Sequence, residues 1–180
     1  MPFYNLLTYV TQPYNVSGIS PCKRSLTPAC PSSRTSQPIQ LRLTPEMLSK
    51  LTPKSPTNHY RLALFCTQSD RVHFGNCVVE FPAHTEIRVN GTVIQANVRG
   101  IKNKPGTINP PDLTAHAILH QGVPNKVDVT FAETKTAYTL TVYLVEKSTV
   151  QQLVEKIRKK GFLSKEATLS KSNSCWEKVD

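Results

Sequence analysis

Between Asn125 and Val145 the chain twice alternates apolar with polar residues, and no other feature of its 180 residues restricts the fold as strongly. Val127, Val129 and Phe131 fall at every second position, and so do Tyr138, Leu140, Val142 and Leu144. Successive side chains of a strand point to opposite faces, so each run predicts a strand with one buried face. Their closeness in sequence suggests an antiparallel pair. A third strong signal is Asn90-Gly91, flanked by Ile87, Val89, Val93 and Ile94. Asn and Gly tolerate the positive φ angles of a tight type I′ turn, which predicts a hairpin over 86–94.

Further strands are expected at Ile39–Leu43, at 58–67 and at Cys77–Phe81. In the second of these Tyr60, Leu62, Leu64 and Cys66 share one face, while Ala63 and Phe65 make the other face apolar too. That pattern implies burial on both sides. Thr44-Pro45-Glu46 is a helix start, with a hydroxyl cap, proline at the first helical position and an early acid. Pro53 and Pro56 end that short helix. Residues 99–111 hold Gly100, Pro105, Gly106, Pro110 and Pro111, a turn-rich connection after which Asp112 can cap a helical turn over Leu113–Leu119. Ser148 and Gln151 have capping-box spacing. Val150, Leu153, Val154 and Ile157 follow at helical spacing, and Gly161 stops the helix.

These elements predict a mainly β (α+β) fold, an antiparallel β-sandwich with short peripheral helices and one C-terminal helix. No alternation of strand with helix suggests a parallel sheet. The segment 1–10 is apolar and expected to pack on the core. Residues 11–38 carry Pro13, Pro21, Pro28, Pro31 and Pro38 among Ser and Thr with no acid, which predicts a flexible loop. Residues 39–161 would be the sandwich core, including helix 148–160, and 162–180 a polar linker.

Charge and cysteine usage narrow the classes of partner. Lys and Arg number 22 against 12 Asp and Glu, a formal net charge of +10, and no acid precedes Glu46. Lys156, Arg158, Lys159 and Lys160 close the late helix. This balance favours acidic partners, whether proteins, nucleic acid or anionic lipid. The basic helix end could meet phosphates, but Lys and Arg are favoured there simply to complement the helix dipole. Tyr138 and Tyr143 fall on opposite faces of one strand and make no stacking platform for bases. The cysteines, Cys22, Cys30, Cys66, Cys77 and Cys175, are odd in number with no C-x-x-C pair, as expected of reduced thiols. No apolar run approaches the ~20 residues of a membrane span, and 1–10 lacks the basic start of a signal peptide.

Catalytic and metal-binding patterns are weak. His59 and Cys66 are seven apart, which puts them on opposite faces of a regular strand, and His73 and Cys77 lack two further ligands at finger-like spacing. Asp112, His116 and His120, four apart on a possible helix, place the outer two roughly 12 Å apart along the axis. Neither set predicts a metal site, and no metal is expected in this chain. Cys66 lies in an apolar run with no base to activate it. No nucleophile elbow or phosphate-binding loop is present.

Read in order, several short motifs resemble the PINIT domain of Siz/PIAS SUMO-protein ligases. They are Pro2-Phe3-Tyr4, Leu43-Thr44-Pro45 before a short helix, and Val89-Asn90-Gly91 in the hairpin. Pro105-Gly106 with Pro110-Pro111-Asp112-Leu113-Thr114 looks like a diverged form of the motif that gives the domain its name. Val142-Tyr143-Leu144-Val145, followed by a helix ending Lys159-Lys160-Gly161, is the most specific. The resemblance covers nearly the whole chain.

It implies a nuclear SUMO-protein ligase, a transferase of adaptor type, in which this part carries no catalytic residue. A zinc-holding SP-RING module is expected beyond it to engage the SUMO-conjugating enzyme, so no cofactor is expected in these 180 residues. The conjugating enzyme carries SUMO as a thioester that a substrate lysine attacks, and the ligase holds the two in reactive geometry. The implied share of this domain is to dock the substrate protein. The turn-rich connection supplies the candidate docking residues Lys102, Lys104, Pro105, Ile108, Asn109, Pro110, Pro111, Asp112, Leu113 and Thr114. Two other readings are a basic DNA- or RNA-binding β-domain and a structural support for the zinc module without selectivity. No membrane partner is expected.

Overall fold

Alternation decides which side chains a strand buries, and in this chain it feeds two sheets rather than one. The computed structural model describes residues 4–16, 34–52, 59–74, 78–101, 107–132, 134 and 136–159. The chain divides into two compact units. One is the body Asn5–Lys147, and the other joins Met1–Tyr4 with Ser148–Asp180.

In chain order the elements are β1 (Tyr4–Tyr9), β2 (Tyr14–Val16), β3 (Arg34–Leu41), α1 (Pro45–Leu51), β4 (Tyr60–Gln68), β5 (Glu86–Val89), β6 (Thr92–Val93), β7 (Asn125–Ala132), β8 (Tyr138–Lys147) and α2 (Val150–Lys159). Short 3-10 turns occupy Ser69–Phe74 and Thr114–His116. In one four-stranded sheet β8 is central, with β4 along one side and β1 and β2 along the other. The second sheet runs β3-β7-β5-β6. Every register assigned is antiparallel, from Tyr60↔Glu146 to Gln68↔Tyr138 in the first sheet and from Arg34↔Ala132 to Leu41↔Asn125 in the second. The fold is therefore mainly antiparallel β with few helices, as the sequence predicts.

The expected pairing of 125–131 with 137–145 is corrected. Both segments are strands, β7 and β8, but each lies in a different sheet between partners of its own. Alternation specifies a face to bury and leaves the hydrogen-bonding neighbour open. Leu62, Leu64, Leu140, Val142 and Leu144 of one sheet and Ile39, Ile87, Val89, Val127, Val129 and Phe131 of the other belong to one buried cluster. Leu113 and the α1 residues Met47, Leu48 and Leu51 complete it. β4 also buries Ala63 on its second face, as its doubly apolar sequence predicts.

The flexible loop expected over 11–38 is corrected where it is described. Tyr14–Val16 and Arg34–Leu41 are strands, and 17–33 lie outside the described residues. The composition argument fails here because β3 draws its order from eight paired positions on β7 and needs to bury only Ile39 and Leu41. Pro38 fits because β3 is an edge strand, where one side of the backbone needs no donor. Segment 1–10 differs from expectation as well: Leu6, Leu7 and Tyr9 stay exposed on an edge strand, and among its described residues it is Val10 that packs against the core. Where β1 gives way to β2, Thr11 keeps the ladder closed. Val10 N–H donates to Val142 O at 2.9 Å and Val142 N–H to Thr11 Oγ1 at 3.2 Å.

Smaller expectations hold or shift by a residue. Thr44 caps α1, accepting from Met47 N–H at 3.3 Å, with Pro45 in the first turn. Asn90 and Gly91 take φ values of 50° and 84° in the β5–β6 turn. Residues 78–81 are not a strand. Val79 and Phe81 reach the core, and Glu80 N–H donates one backbone bond to Cys66 O at 2.8 Å. The helix over 113–119 shrinks to the 3-10 turn Thr114–His116. In α2 the reciprocal cap sits one residue later than expected. Gln152 N–H donates to Thr149 Oγ1 at 3.2 Å, and Thr149 N–H to Gln152 Oε1 at 2.9 Å. Thr149 and Gln152 have the same three-residue spacing as Ser148 and Gln151, so spacing alone does not separate them.

Candidate protein-docking surface

The connection from β6 to β7 is long, yet side chains tie it down at three places. At its start Asn97 Oδ1 accepts from Arg99 N–H at 3.2 Å and from Gly100 N–H at 3.0 Å, a local turn of the kind Asn favours. Gly100 sits at φ +66°, and a Cβ there would meet Thr107 Oγ1 at 2.7 Å and Ile108 Cγ1 at 2.8 Å. Ile101 N–H donates to Thr107 Oγ1 at 2.8 Å. These contacts hold Gly100 and Ile101 against Thr107 and Ile108. Lys102, Lys104 and Pro105 lie outside the described residues.

The second anchor is the segment Pro110–Thr114, which lies along the outer edge of β4. Leu64 N–H donates to Pro111 O at 3.0 Å, Leu113 N–H to Leu62 O at 2.8 Å, and Leu62 N–H to Thr114 Oγ1 at 2.8 Å. Pro110 and Pro111 are buried, and Leu113 is fully buried in the core. Asp112 Oδ1 accepts from Thr114 N–H at 2.9 Å, and its other oxygen lies 3.4 Å from Arg61 Nε. Of the sequence-predicted docking residues, Pro110, Pro111, Leu113 and Thr114 thus hold the connection in place. Asn109 and Asp112 present their side chains to solvent, and Ile108 is half-buried.

Asn125 is the third anchor, and sequence reading missed it. Its side chain is completely buried at the start of β7. Nδ2 donates to Ile118 O at 3.0 Å, while Oδ1 accepts from Ile118 N–H and, at 2.9 Å, from Asn90 Nδ2. Asn90 Nδ2 also donates to His116 O at 3.0 Å, and Lys126 N–H donates to Asn90 Oδ1 at 2.9 Å. Two amides therefore serve the backbone of 116–118 as a neighbouring strand would. His116 and Ile118 remain exposed on this fixed backbone, with Ile101 exposed nearer the start. Asp112, His116 and His120 do not share a helix, because the turn ends at His116. Among the described residues no three His, Cys, Asp or Glu side chains come together as a metal-binding group.

The connection ends beside a pocket of about 380 Å³ lined by Arg42, Leu43, Pro45, Gln121, Gly122, Val123 and Pro124. Its walls are mainly apolar, and Arg42 brings a guanidinium to its rim with no acid paired to it among the described residues. Elsewhere on the body Arg34, Arg99 and Lys147 have no carboxylate within 4.0 Å among the described residues, while Arg61 pairs with Asp112, Arg71 with Glu80, Arg88 with Glu86, Lys126 with Asp128 and Lys50 with Glu46. An extended phosphate-binding face would need those charges unpaired.

The Cys66 thiol is buried, and that burial pushes its pKa far above the ordinary thiol value, with the Glu80 carboxylate adding to the rise. It stays protonated and unreactive.

A family model of the PINIT domain matches residues 1–146, across both sheets and the anchored connection. The chain belongs to the PINIT domain family. E3 SUMO-protein ligase pli1 of Schizosaccharomyces pombe is 34% identical over 172 residues, which is 94% of this chain and 22% of that protein. E3 SUMO-protein ligase SIZ1 of Saccharomyces cerevisiae is 38% identical over 116 residues, 64% of this chain and 13% of that protein. The crystal structure of the S. cerevisiae SUMO E3 ligase SIZ1 superposes with a TM-score of 0.71 at 29% identity, covering all of this chain and 59% of that one. That of S. cerevisiae SIZ2 gives a TM-score of 0.67 at 22% identity, a likeness of fold. The chain thus spans between about an eighth and a quarter of the curated relatives it matches. In this PINIT domain Pro110–Thr114 is the strip that closes the β4 edge.

Proposed function

We propose that this PINIT domain is the substrate-docking part of a nuclear SUMO-protein ligase, and that the β6–β7 connection with the adjoining pocket is its docking surface. Bond-making takes place at the SUMO thioester of a conjugating enzyme engaged by a zinc-holding module, and this domain contributes proximity. Holding a substrate lysine near the thioester turns an encounter of free molecules into a reaction within one assembly. The observation that carries the reading is the fixed backbone of 116–118, clamped by Asn90 and Asn125 while Ile118 and His116 face solvent. A rigid loop that presents apolar and polar side chains loses little entropy on binding, which favours recognition. Lys102, Lys104 and Pro105 extend the same connection, and Arg42 offers a charge to an acidic residue of the substrate.

The test uses the full-length ligase with Ile118→Asp and Arg42→Glu, both at exposed positions. Two rates are measured: SUMO transfer to substrate proteins, and discharge of the conjugating enzyme to free lysine. Transfer to at least one substrate should fall tenfold or more, with discharge to free lysine unchanged. Undiminished transfer to every substrate would rule the surface out.

A further inference from the structure

Asn90-Gly91 is the one Asn-Gly pair in the 180 residues. In such a pair the backbone nitrogen of Gly can attack the side-chain amide carbon of Asn, because no side chain on Gly shields it. Asn90, Gly91 and Thr92 at the tip of the β5–β6 hairpin are all exposed, and a Cβ built on Gly91 would meet nothing within 4 Å. The turn itself therefore leaves the attacking nitrogen accessible.

What restrains the reaction is the Asn90 side chain. Its Nδ2 donates to His116 O at 3.0 Å and to Asn125 Oδ1 at 2.9 Å, and its Oδ1 accepts from Lys126 N–H at 2.9 Å. The Asn90 backbone N–H donates to Lys126 O at 2.8 Å. Every partner lies on the β6–β7 connection or at the start of β7, so the amide is held toward them and away from the Gly91 nitrogen. Cyclisation has to release all three side-chain bonds first. One of them is the bond to the fully buried Asn125, whose oxygen is costly to leave short of a donor.

We infer that Asn90 is a guarded deamidation site, closed by its clamp to Asn125 and His116 and opened when the 116–118 backbone lets go. The Gly91 nitrogen gives up its proton and bonds to Asn90 Cγ, the Cγ–Nδ2 bond breaks, and ammonia leaves a cyclic imide. Water then opens the ring. Opening at Cγ yields aspartate, and opening at the backbone carbonyl yields isoaspartate, with an extra methylene inside the turn. Either product is a carboxylate, which accepts hydrogen bonds and donates none. It faces His116 O and Asn125 Oδ1, two acceptors, where the amide now donates to both. The clamp cannot re-form, and the 116–118 backbone stays released. Together with the docking role proposed above, the conversion is a one-way loss of substrate capture, a consequence that alone rests on that reading.

The experiment incubates the 180-residue chain at mildly alkaline pH and follows conversion of the Asn90 amide to acid by peptide mapping with mass detection. Wild type, Asn125→Ala and Val142→Ala are compared, each folded and in urea. Val142 is fully buried in the other sheet, so its variant loses stability with the clamp intact. In urea all three should convert at one rate. Folded wild type should convert at least tenfold more slowly than in urea, and folded Asn125→Ala should recover most of that difference while Val142→Ala recovers little. Equal rates for wild type folded and in urea, or equal acceleration by the two variants, overturn the inference, because the guard would then be absent or would be the global fold. Asn90→Asp supplies the product directly. Hydrogen exchange of the Ile118 amide should speed up at least tenfold in it while that of Val142 is unchanged, and an unchanged Ile118 overturns the release. A full-length Asn90→Asp ligase that has freed Ile118 yet transfers SUMO undiminished to every substrate would refute the docking reading and leave the guarded site standing.

Discussion

Replacing Asn125 with alanine should loosen the β6–β7 connection while leaving both sheets in place. The wild-type amide makes three hydrogen bonds from a fully buried position: two to the backbone of Ile118 and one to the Asn90 side chain. At roughly 0.5–1.5 kcal/mol net for each bond, their loss comes to about 3 kcal/mol. The Ile118 N–H and C=O are then left without their partner, which holds the figure toward its upper side unless water enters. Chemical denaturation should therefore show a midpoint shift equivalent to about 2–4 kcal/mol with an unchanged m-value. Native-state hydrogen exchange gives the sharper reading, since protection of the Ile118 amide should fall far more than that of Val129 or Val142. A double-mutant cycle with Asn90→Ala should find the two residues coupled by about 0.5–1.5 kcal/mol through their shared bond. A total loss below about 1 kcal/mol, or equal loss of protection at Ile118 and in the central strands, would refute the role given to this residue.

Two further expectations follow from the same body. Gly100→Ala imposes the left-handed backbone penalty of about 1–2 kcal/mol and also drives a Cβ into Thr107 and Ile108, whereas Gly122, at φ +80° with nothing within 4 Å, bears the backbone penalty alone. Thermal or denaturant unfolding of the two variants should place Gly100→Ala clearly below Gly122→Ala, and equal stabilities would contradict the packing described. Cys66 predicts an alkaline effect: the folded state keeps its thiol proton after the unfolded chain has released its own near pH ~8.5. The stability contribution is thus complete below that pH and is lost above it, by up to about 1.4 kcal/mol per pH unit. Cys66→Val should flatten that part of the stability profile between pH 8 and 10.5, and identical slopes for the two proteins would exclude the effect.

Much of the fold is legible in the residues. The Thr44-Pro45 helix start, the Asn90-Gly91 turn and the strands at 60–68, 125–132 and 138–147 are each carried by chemistry confined to a few neighbours. The β6–β7 connection was visible as a turn-rich stretch, but the roles within it were not. Pro111 and Leu113 look like loop residues until the β4 edge is seen beside them. Asn125 looks like a strand-initiating polar residue, and its bonds reach back to Ile118 and across to Asn90, 35 positions earlier. Asn90 lies in the β5–β6 turn and Asn125 at the start of β7, and their meeting depends on register.

By itself the sequence determined that 60–68, 125–132 and 138–147 are extended, which face each would bury, where the hairpin and the first helix cap fall, and the PINIT resemblance. Tertiary structure decided that β7 and β8 belong to separate sheets, that the proline-rich approach to Ile39 becomes the strand β3, and that Pro110–Thr114 seals the β4 edge. The division has one physical cause. Periodicity and capping arise from contacts within a few residues, whereas strand partners are chosen by hydrogen bonds and burial summed over the whole body.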